Sequence, residues 1–147
     1  MIVYRTMNKN DIPSLMKLYS QMSGASSDFA VIDCQKIDEV WNNTKNSDIV
    51  YFVADNSGEI ISTCYICIIP NITHNGRPIG YIENVITDER FRRQGIATKV
   101  LQMAIDYGKS KDCHKIVLLS GQTRTDAHLF YKSIGFDGDR KHGFVIS

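Results

Sequence analysis

The residues able to do chemistry concentrate between positions 83 and 98, which read Glu83-Asn84-Val85-Ile86-Thr87-Asp88-Glu89-Arg90-Phe91-Arg92-Arg93-Gln94-Gly95-Ile96-Ala97-Thr98. A strand-like run ends, a short basic loop follows, and a small-residue turn opens a long helix. The first amides of a helix have no internal partners and lie at the positive end of its dipole. A phosphate placed there accepts several of them at once. Gly95 and Ala97 carry little bulk, so a pyrophosphate can approach the backbone, and Arg92 and Arg93 add positive charge. The plain structural alternative is a tight strand-to-helix turn with its arginines in water. No Gly-x4-Gly-Lys-Ser/Thr sequence occurs, so this is not a P-loop. Only one glycine of a Gly-x-Gly-x-x-Gly dinucleotide fingerprint is present.

The elements that must position this stretch follow from hydrophobic periodicity and turn chemistry. Ile2 to Thr6 reads as a short strand. Asp11 suits an N-cap and Pro13 a first turn, ahead of a helical stripe of Ile12, Leu15, Met16, Leu18 and Tyr19. Residues 22–34 read as a loop, and a second helix is expected over Gln35 to Lys45. Asp48 to Ala54 and Glu59 to Ile69 are strands joined through Asp55-Asn56-Ser57-Gly58 as a hairpin, and Ile79 to Thr87 is the next strand. Arg92 to Lys111 is expected as a long amphipathic helix with Ala97, Val100, Leu101, Ala104, Ile105 and Gly108 on one face. Lys115 to Leu119 lacks alternation and reads as a central strand covered on both sides. A last helix from Thr125 or Asp126 ends at Gly135, and Phe136–Asp137 with Gly143–Ile146 could close the sheet as two further strands. Three antiparallel strands followed by β-α-β predict a mixed α/β layer architecture.

At 147 residues, 43% hydrophobic and 10% aromatic, the chain is expected to be one domain over residues 1–147 with a real core, neither disordered nor fibrous. No apolar run reaches the ~20 residues of a membrane helix, and the first residues carry no secretory pattern, so a cytoplasmic protein is expected. The net charge of +1 hides an asymmetry. Residues 1–89 hold 6 Lys+Arg against 11 Asp+Glu, and residues 90–147 hold 11 against 5. A basic half could face an anion or merely solvent. Cys64 and Cys67 resemble a CxxC pair, but an offset of three on a strand sends them to opposite faces. Neither they nor the four histidines have metal-ligand spacing, so no metal is expected.

Arg92-Arg93-Gln94-Gly95-Ile96-Ala97 resembles the Gln/Arg-x-x-Gly-x-Gly/Ala motif of the GNAT acetyltransferase superfamily. Ala127-His128-Leu129-Phe130-Tyr131-Lys132-Ser133-Ile134-Gly135-Phe136 resembles that family's second signature. The resemblance implies the family's acyl-CoA N-acyltransferase fold, with six to seven strands, about four helices and splayed central strands. It implies acetyl-CoA as acetyl donor, its pyrophosphate held by Arg92, Arg93, Gln94, Gly95, Ile96, Ala97 and Thr98 and its pantetheine arm along Val85, Ile86 and Thr87. It further implies that the Ile86 amide polarises the thioester carbonyl and that Tyr131 protonates the leaving thiolate. Glu83 falls where related enzymes often carry a base, and a carboxylate in a partly dry cleft could take the proton from an amine; the alternative is a structural or substrate-binding Glu. Arg124 stands where the family often has Asn. Ile82-Glu83-Asn84-Val85, Cys113-His114-Lys115-Ile116 and Phe130-Tyr131 look like glucosamine-phosphate N-acetyltransferases, although Leu119 replaces an Asp and the segment from Leu119 to Tyr131 is longer.

The implied function is direct transfer of acetyl to a primary amine in a ternary complex, the partner being a small-molecule or peptide amine. A homodimer is open. A non-catalytic acetyl-CoA sensor is the alternative. A nucleic-acid partner is disfavoured because the arginines cluster at one helix start with no basic-aromatic stripe, and no membrane partner is expected. Acceptor choice is assigned to residues 22–34, the Pro70–Pro78 loop and the expected C-terminal hairpin.

Overall fold

The computed structural model describes residues 1–22 and 33–147. These form two compact units, Met1–Val117 and Leu118–Ser147, each considered by itself below.

In the first unit β1 (Ile2–Thr6) leads through a short 3-10 turn into α1 (Ile12–Tyr19), and α2 (Cys34–Lys45) follows. Then come β2 (Ile49–Asn56), β3 (Glu59–Ile69), β4 (Ile79–Thr87), α3 (Ile96–Ser110) and β5 (Lys115–Leu118), whose last residue opens the second unit. The five strands make one sheet in chain order, antiparallel through β4. His114 donates its amide to the Pro78 carbonyl at 3.0 Å, so the starts of β4 and β5 lie side by side and the two strands run parallel. β5 has four residues and β4 nine, so the last residues of β4 extend past the end of β5.

Strand alternation divides the sheet into two packed faces. Leu15, Leu18 and Tyr19 of α1 gather with Val53, Ile60 and Ile86 on one face. On the other, the Cys64 thiol lies against the Val100 carbonyl of α3, and a Cβ at Gly108 would press on Ile66 and Ile116. Cys64 is buried on the α3 side while Cys67, three residues on, is half-buried, as their offset predicts. Ser57 and Gly58, with φ of 54° and 96°, form the two-residue hairpin turn between β2 and β3.

Four expectations need correction. The long helix begins at Ile96 rather than Arg92, because Arg93 and Gly95 take left-handed φ of 62° and 76° that no right-handed helix admits. Asp11 precedes α1 but makes no cap bond to it; its carboxylate accepts from the Arg5 guanidinium and the Asn8 amide instead. The sheet has five strands among the described residues, not six or seven, since Phe136–Asp137 and Gly143–Ile146 form none. β5 is consequently an edge strand and only half-buried, not a central strand covered on both faces.

In the second unit α4 (Thr125–Ile134) is closed by Gly135 at φ 116°. The Phe136 amide donates back to the Tyr131 carbonyl at 3.1 Å, the wide return bond that follows a left-handed helix end.

Candidate active site

The amino end of α3 follows the turn that leaves β4. No side chain caps it, and its first turn carries no acidic residue. Ile96 anchors the turn in the core at 3% exposure, while Arg92, Arg93, Gln94, Gly95 and Thr98 face solvent and Ala97 is half-buried. Gly95 is required by its φ of 76°, and a Cβ built on it meets no atom within 4 Å. The space in front of Gly95, at the start of α3, is thus open. Arg92 is tied back to β4, its Nε donating to the Thr87 carbonyl at 3.2 Å.

The turn between β4 and α3 is fixed by Asp88, which is 3% exposed. Its carboxylate accepts from the Arg90 amide, from the Arg90 guanidinium and from the Gln21 side chain. Gln21 in turn accepts the Glu89 amide. These bonds, led by those from the Arg90 side chain, hold the Asp88 carboxyl far below the usual carboxylate range. A depressed carboxyl stabilises the fold above its unfolded pKa of about 4 and loses that contribution as pH falls below it. Asp88→Asn is therefore expected to lower stability at pH 7 by about 1–3 kcal/mol. In thermal melts across pH, its deficit should shrink as the pH drops from 5 toward 2, a window set by the unfolded carboxyl and the lower folded one.

β4 carries a bulge. Thr63 faces Ile86 and Tyr65 faces Glu83, so three steps on β4 match two on β3. Asn84 absorbs the extra residue at φ 52°, a conformation that Asn tolerates better than most side chains. Beyond the bulge the ladder is regular. The Asp88 amide donates to the Ile61 carbonyl at 2.8 Å, and by period two the Ile86 amide faces β3 as well. The amides of Val85 and Thr87 then face the opposite edge, the one that outruns β5. The Ile86 amide, expected to polarise the thioester carbonyl, thus faces the neighbouring strand β3.

Glu83 is half-buried just before the bulge. The Tyr81 hydroxyl donates to its Oε1 at 3.0 Å and the Asn84 amide to its Oε2 at 3.3 Å. Burial raises the Tyr81 phenol, and its bond to Glu83 raises it further. Across the strand, Tyr65 is raised by burial and then by the Glu83 charge. Both phenols therefore remain protonated donors at neutral pH. Sequence reasoning passed over Tyr81 and Tyr65. Tyr81 was within reach, because it precedes Glu83 by two residues and must share its face. Tyr65 needed the strand register.

In the second unit Tyr131 is 8% exposed on α4, with the Phe130 ring at 5.4 Å and the Phe136 ring at 6.2 Å. Arg124 stands at the start of α4 and makes no side-chain cap. The structure brings Glu83, Val85, Ile86, Thr87 and residues 92–98 together along β4 and the turn after it; Tyr131 belongs to the other unit. Of the loop assigned to acceptor choice, residues 23–32 lie outside the described residues. Among the described residues no three His, Cys, Asp or Glu side chains gather where a metal could be held, and no helix is long and apolar enough to cross a membrane.

Residues 13–136 match the model of the acetyltransferase (GNAT) family, and the chain belongs to that family. It is an acetyl-CoA-dependent N-acetyltransferase. It is 25% identical over 134 residues to a glucosamine 6-phosphate N-acetyltransferase of Trypanosoma brucei brucei, covering 90% of this chain and 86% of the relative. Among solved structures, a putative acetyltransferase from Agrobacterium tumefaciens superposes with a TM-score of 0.89 at 31% identity over 99% of both chains. The aminoglycoside acetyltransferase AAC(6')-Iy, solved with a bisubstrate analogue of CoA and acetylneamine, has a TM-score of 0.79 at 17% identity, covering 100% of this chain and 98% of its own, a likeness of fold. The sensor alternative gains no support from these relatives.

Proposed function

We propose that the enzyme moves acetyl directly from acetyl-CoA to a primary amine while both are bound, with Glu83 as base, the Val85 amide as oxyanion donor and Tyr131 as acid. The observation that carries this reading is the open, uncapped, acid-free start of α3 placed directly after the strand bearing Glu83. Residues 93–98, with Arg92 and Arg93, offer amides and charge to a pyrophosphate. The open-edge amides of Val85 and Thr87, with the Val85 carbonyl, offer the pantetheine arm the bonds of an added strand. Both compact units are read as parts of one catalytic domain, supported by the family match that runs from residue 13 to 136.

When bound, acetyl-CoA supplies a thioester whose carbonyl carbon an amine can attack. Free amines near pKa 10 are mostly protonated at neutral pH. Glu83 takes one proton from the ammonium and so frees the nitrogen lone pair. The Val85 N–H donates to the carbonyl oxygen as the C–N bond forms and negative charge grows there. As the C–S bond breaks, Tyr131 gives its phenolic proton to the sulfur. The nitrogen's second proton restores the phenol through water, and the products are an amide and a free thiol. No thiol of the protein is needed as a carrier. Burial pushes the Cys64 thiol up to about 12, which leaves it a poor nucleophile at neutral pH.

Initial rates of thiol release, measured while acetyl-CoA and an amine are both varied, test this directly. Intersecting double-reciprocal lines are expected for a ternary complex. Parallel lines would indicate an acetylated enzyme and overturn the direct route.

A further inference from the structure

One face of the sheet carries a row of aromatic side chains that ends on Glu83. Tyr51 of β2 lies opposite Tyr65 of β3, and Tyr65 lies opposite Glu83 of β4, so the three share a line across the sheet. The Tyr51 and Tyr65 rings are 4.8 Å apart, and Trp41 of α2 tilts against Tyr51 at 6.5 Å. Tyr81 joins from the position two before Glu83 and donates its hydroxyl to it. Trp41, Tyr51, Tyr65, Tyr81 and Glu83 are all half-buried, and Tyr51 also packs against the core cluster of α1.

The charge along this row is one-sided. Burial and then Tyr65 push the Tyr51 phenol up to about 12, and the carboxylate of Glu83 bears on Tyr65 and Tyr81. Among the described residues no Lys, Arg or His bears on these three phenols. The hydrogen-bond donors to Glu83 are a neutral phenol and a backbone amide, and among the described residues no Lys, Arg or His forms a salt bridge with it. At the far end, the Lys45 ammonium lies 5.8 Å over the Trp41 ring, so this row already attracts one cation through an aromatic face. A phosphate ester needs the opposite surroundings, with forked or clustered cations.

We propose that this row seats the acceptor, and that the acceptor is an ammonium carried on an aromatic or hydrocarbon body with no phosphate beside the amine. The ammonium meets Glu83, and the body lies along Tyr65, Tyr51 and Trp41. This assignment rests on the acetyl-transfer reading above. It separates this chain from the phosphosugar substrate named for its trypanosome relative.

Trp41 is the single tryptophan of the chain, so its fluorescence reports the row without any chemistry. Phenethylamine and glucosamine 6-phosphate should each be titrated into the full-length protein with CoA present, and then assayed as acceptors by thiol release. Phenethylamine is expected to change Trp41 fluorescence saturably and to show a KM about tenfold below that of glucosamine 6-phosphate, the size of one desolvated cation–aromatic contact. Tyr65→Leu should raise the phenethylamine KM by a similar factor with a smaller change in kcat. Tyr81→Phe and Glu83→Gln, which alter single polar groups, keep the test decisive if Tyr65→Leu fails to fold. Both should weaken phenethylamine binding by fluorescence. A preference for glucosamine 6-phosphate, or phenethylamine binding that none of the folded variants weakens, would overturn the assignment. Saturable phenethylamine binding without thiol release would show a cation site on the row and overturn its assignment to the acceptor.

Discussion

Tyr131→Phe is expected to lower kcat by about 10²–10⁴-fold, the usual contribution of a general acid or base, while acetyl-CoA affinity changes little. The hydroxyl is assigned to the sulfur as it departs, so its loss falls on the transition state and not on the bound donor. The aromatic ring that packs beside Phe130 and Phe136 is retained, so the helix end should hold. Single-turnover thiol release gives the rate of chemistry, and calorimetry gives the donor affinity. A Tyr131→Phe enzyme with wild-type single-turnover rates across pH 6–9, a span chosen around the ionisation of amine acceptors, would remove Tyr131 from the mechanism. Glu83→Gln provides the counterpart on the acceptor side. Its rate should climb with pH as the amine loses its own proton, whereas a purely binding role would raise KM and leave the profile unchanged.

Gly95→Trp is expected to abolish acetyl-CoA binding. The space in front of Gly95 is open, and an indole placed there fills the volume assigned to the pyrophosphate. The backbone at φ 76° adds a cost of roughly 1–2 kcal/mol for any L side chain. That cost is tolerable for a domain with stability of about 5–15 kcal/mol, so the variant should fold with a lowered melting temperature. Gly95→Ala separates the two effects, because it carries the same backbone strain with one methyl group. Calorimetry should find most of the wild-type affinity in Gly95→Ala and none in Gly95→Trp. Wild-type affinity in a folded Gly95→Trp protein would place the pyrophosphate elsewhere.

Much of this arrangement was legible in the sequence, because its signals are local. Alternation and the Ser57-Gly58 turn located the β2–β3 hairpin, and the stripe from Val100 to Gly108 located α3. The Arg92–Ala97 and Ala127–Phe136 motifs pointed to the family that the match over residues 13–136 established. What escaped depended on partners distant in the chain. The arginines of residues 92–95 are helix-compatible by type, and the extended Arg92 with the left-handed turns at Arg93 and Gly95 exclude them. The run from Lys115 is apolar enough for a sheet centre, yet the segments expected to cover its outer edge are short, and Phe144, Val145 and Ile146 remain exposed. The direction of the Ile86 amide depends on its pairing with Thr63, and the row from Tyr51 to Glu83 depends on two registers at once. Neither is written in the spacing of one strand.

The extra residue at Asn84 has a consequence for how such an enzyme can diversify. Upstream of it, Tyr81 and Glu83 keep one parity; downstream, Val85 and Thr87 keep another, with Asn84 as the joint between them. Substitutions that remodel the upstream half change what is presented on the sheet face without disturbing which amides point outward downstream. Gain or loss of one residue at the joint, by contrast, would turn one half over relative to the other and disable both together. Under the proposed assignment of amine and donor, the strand behaves as two modules joined by a hinge of sequence: one free to drift toward new amines, the other held by a common donor.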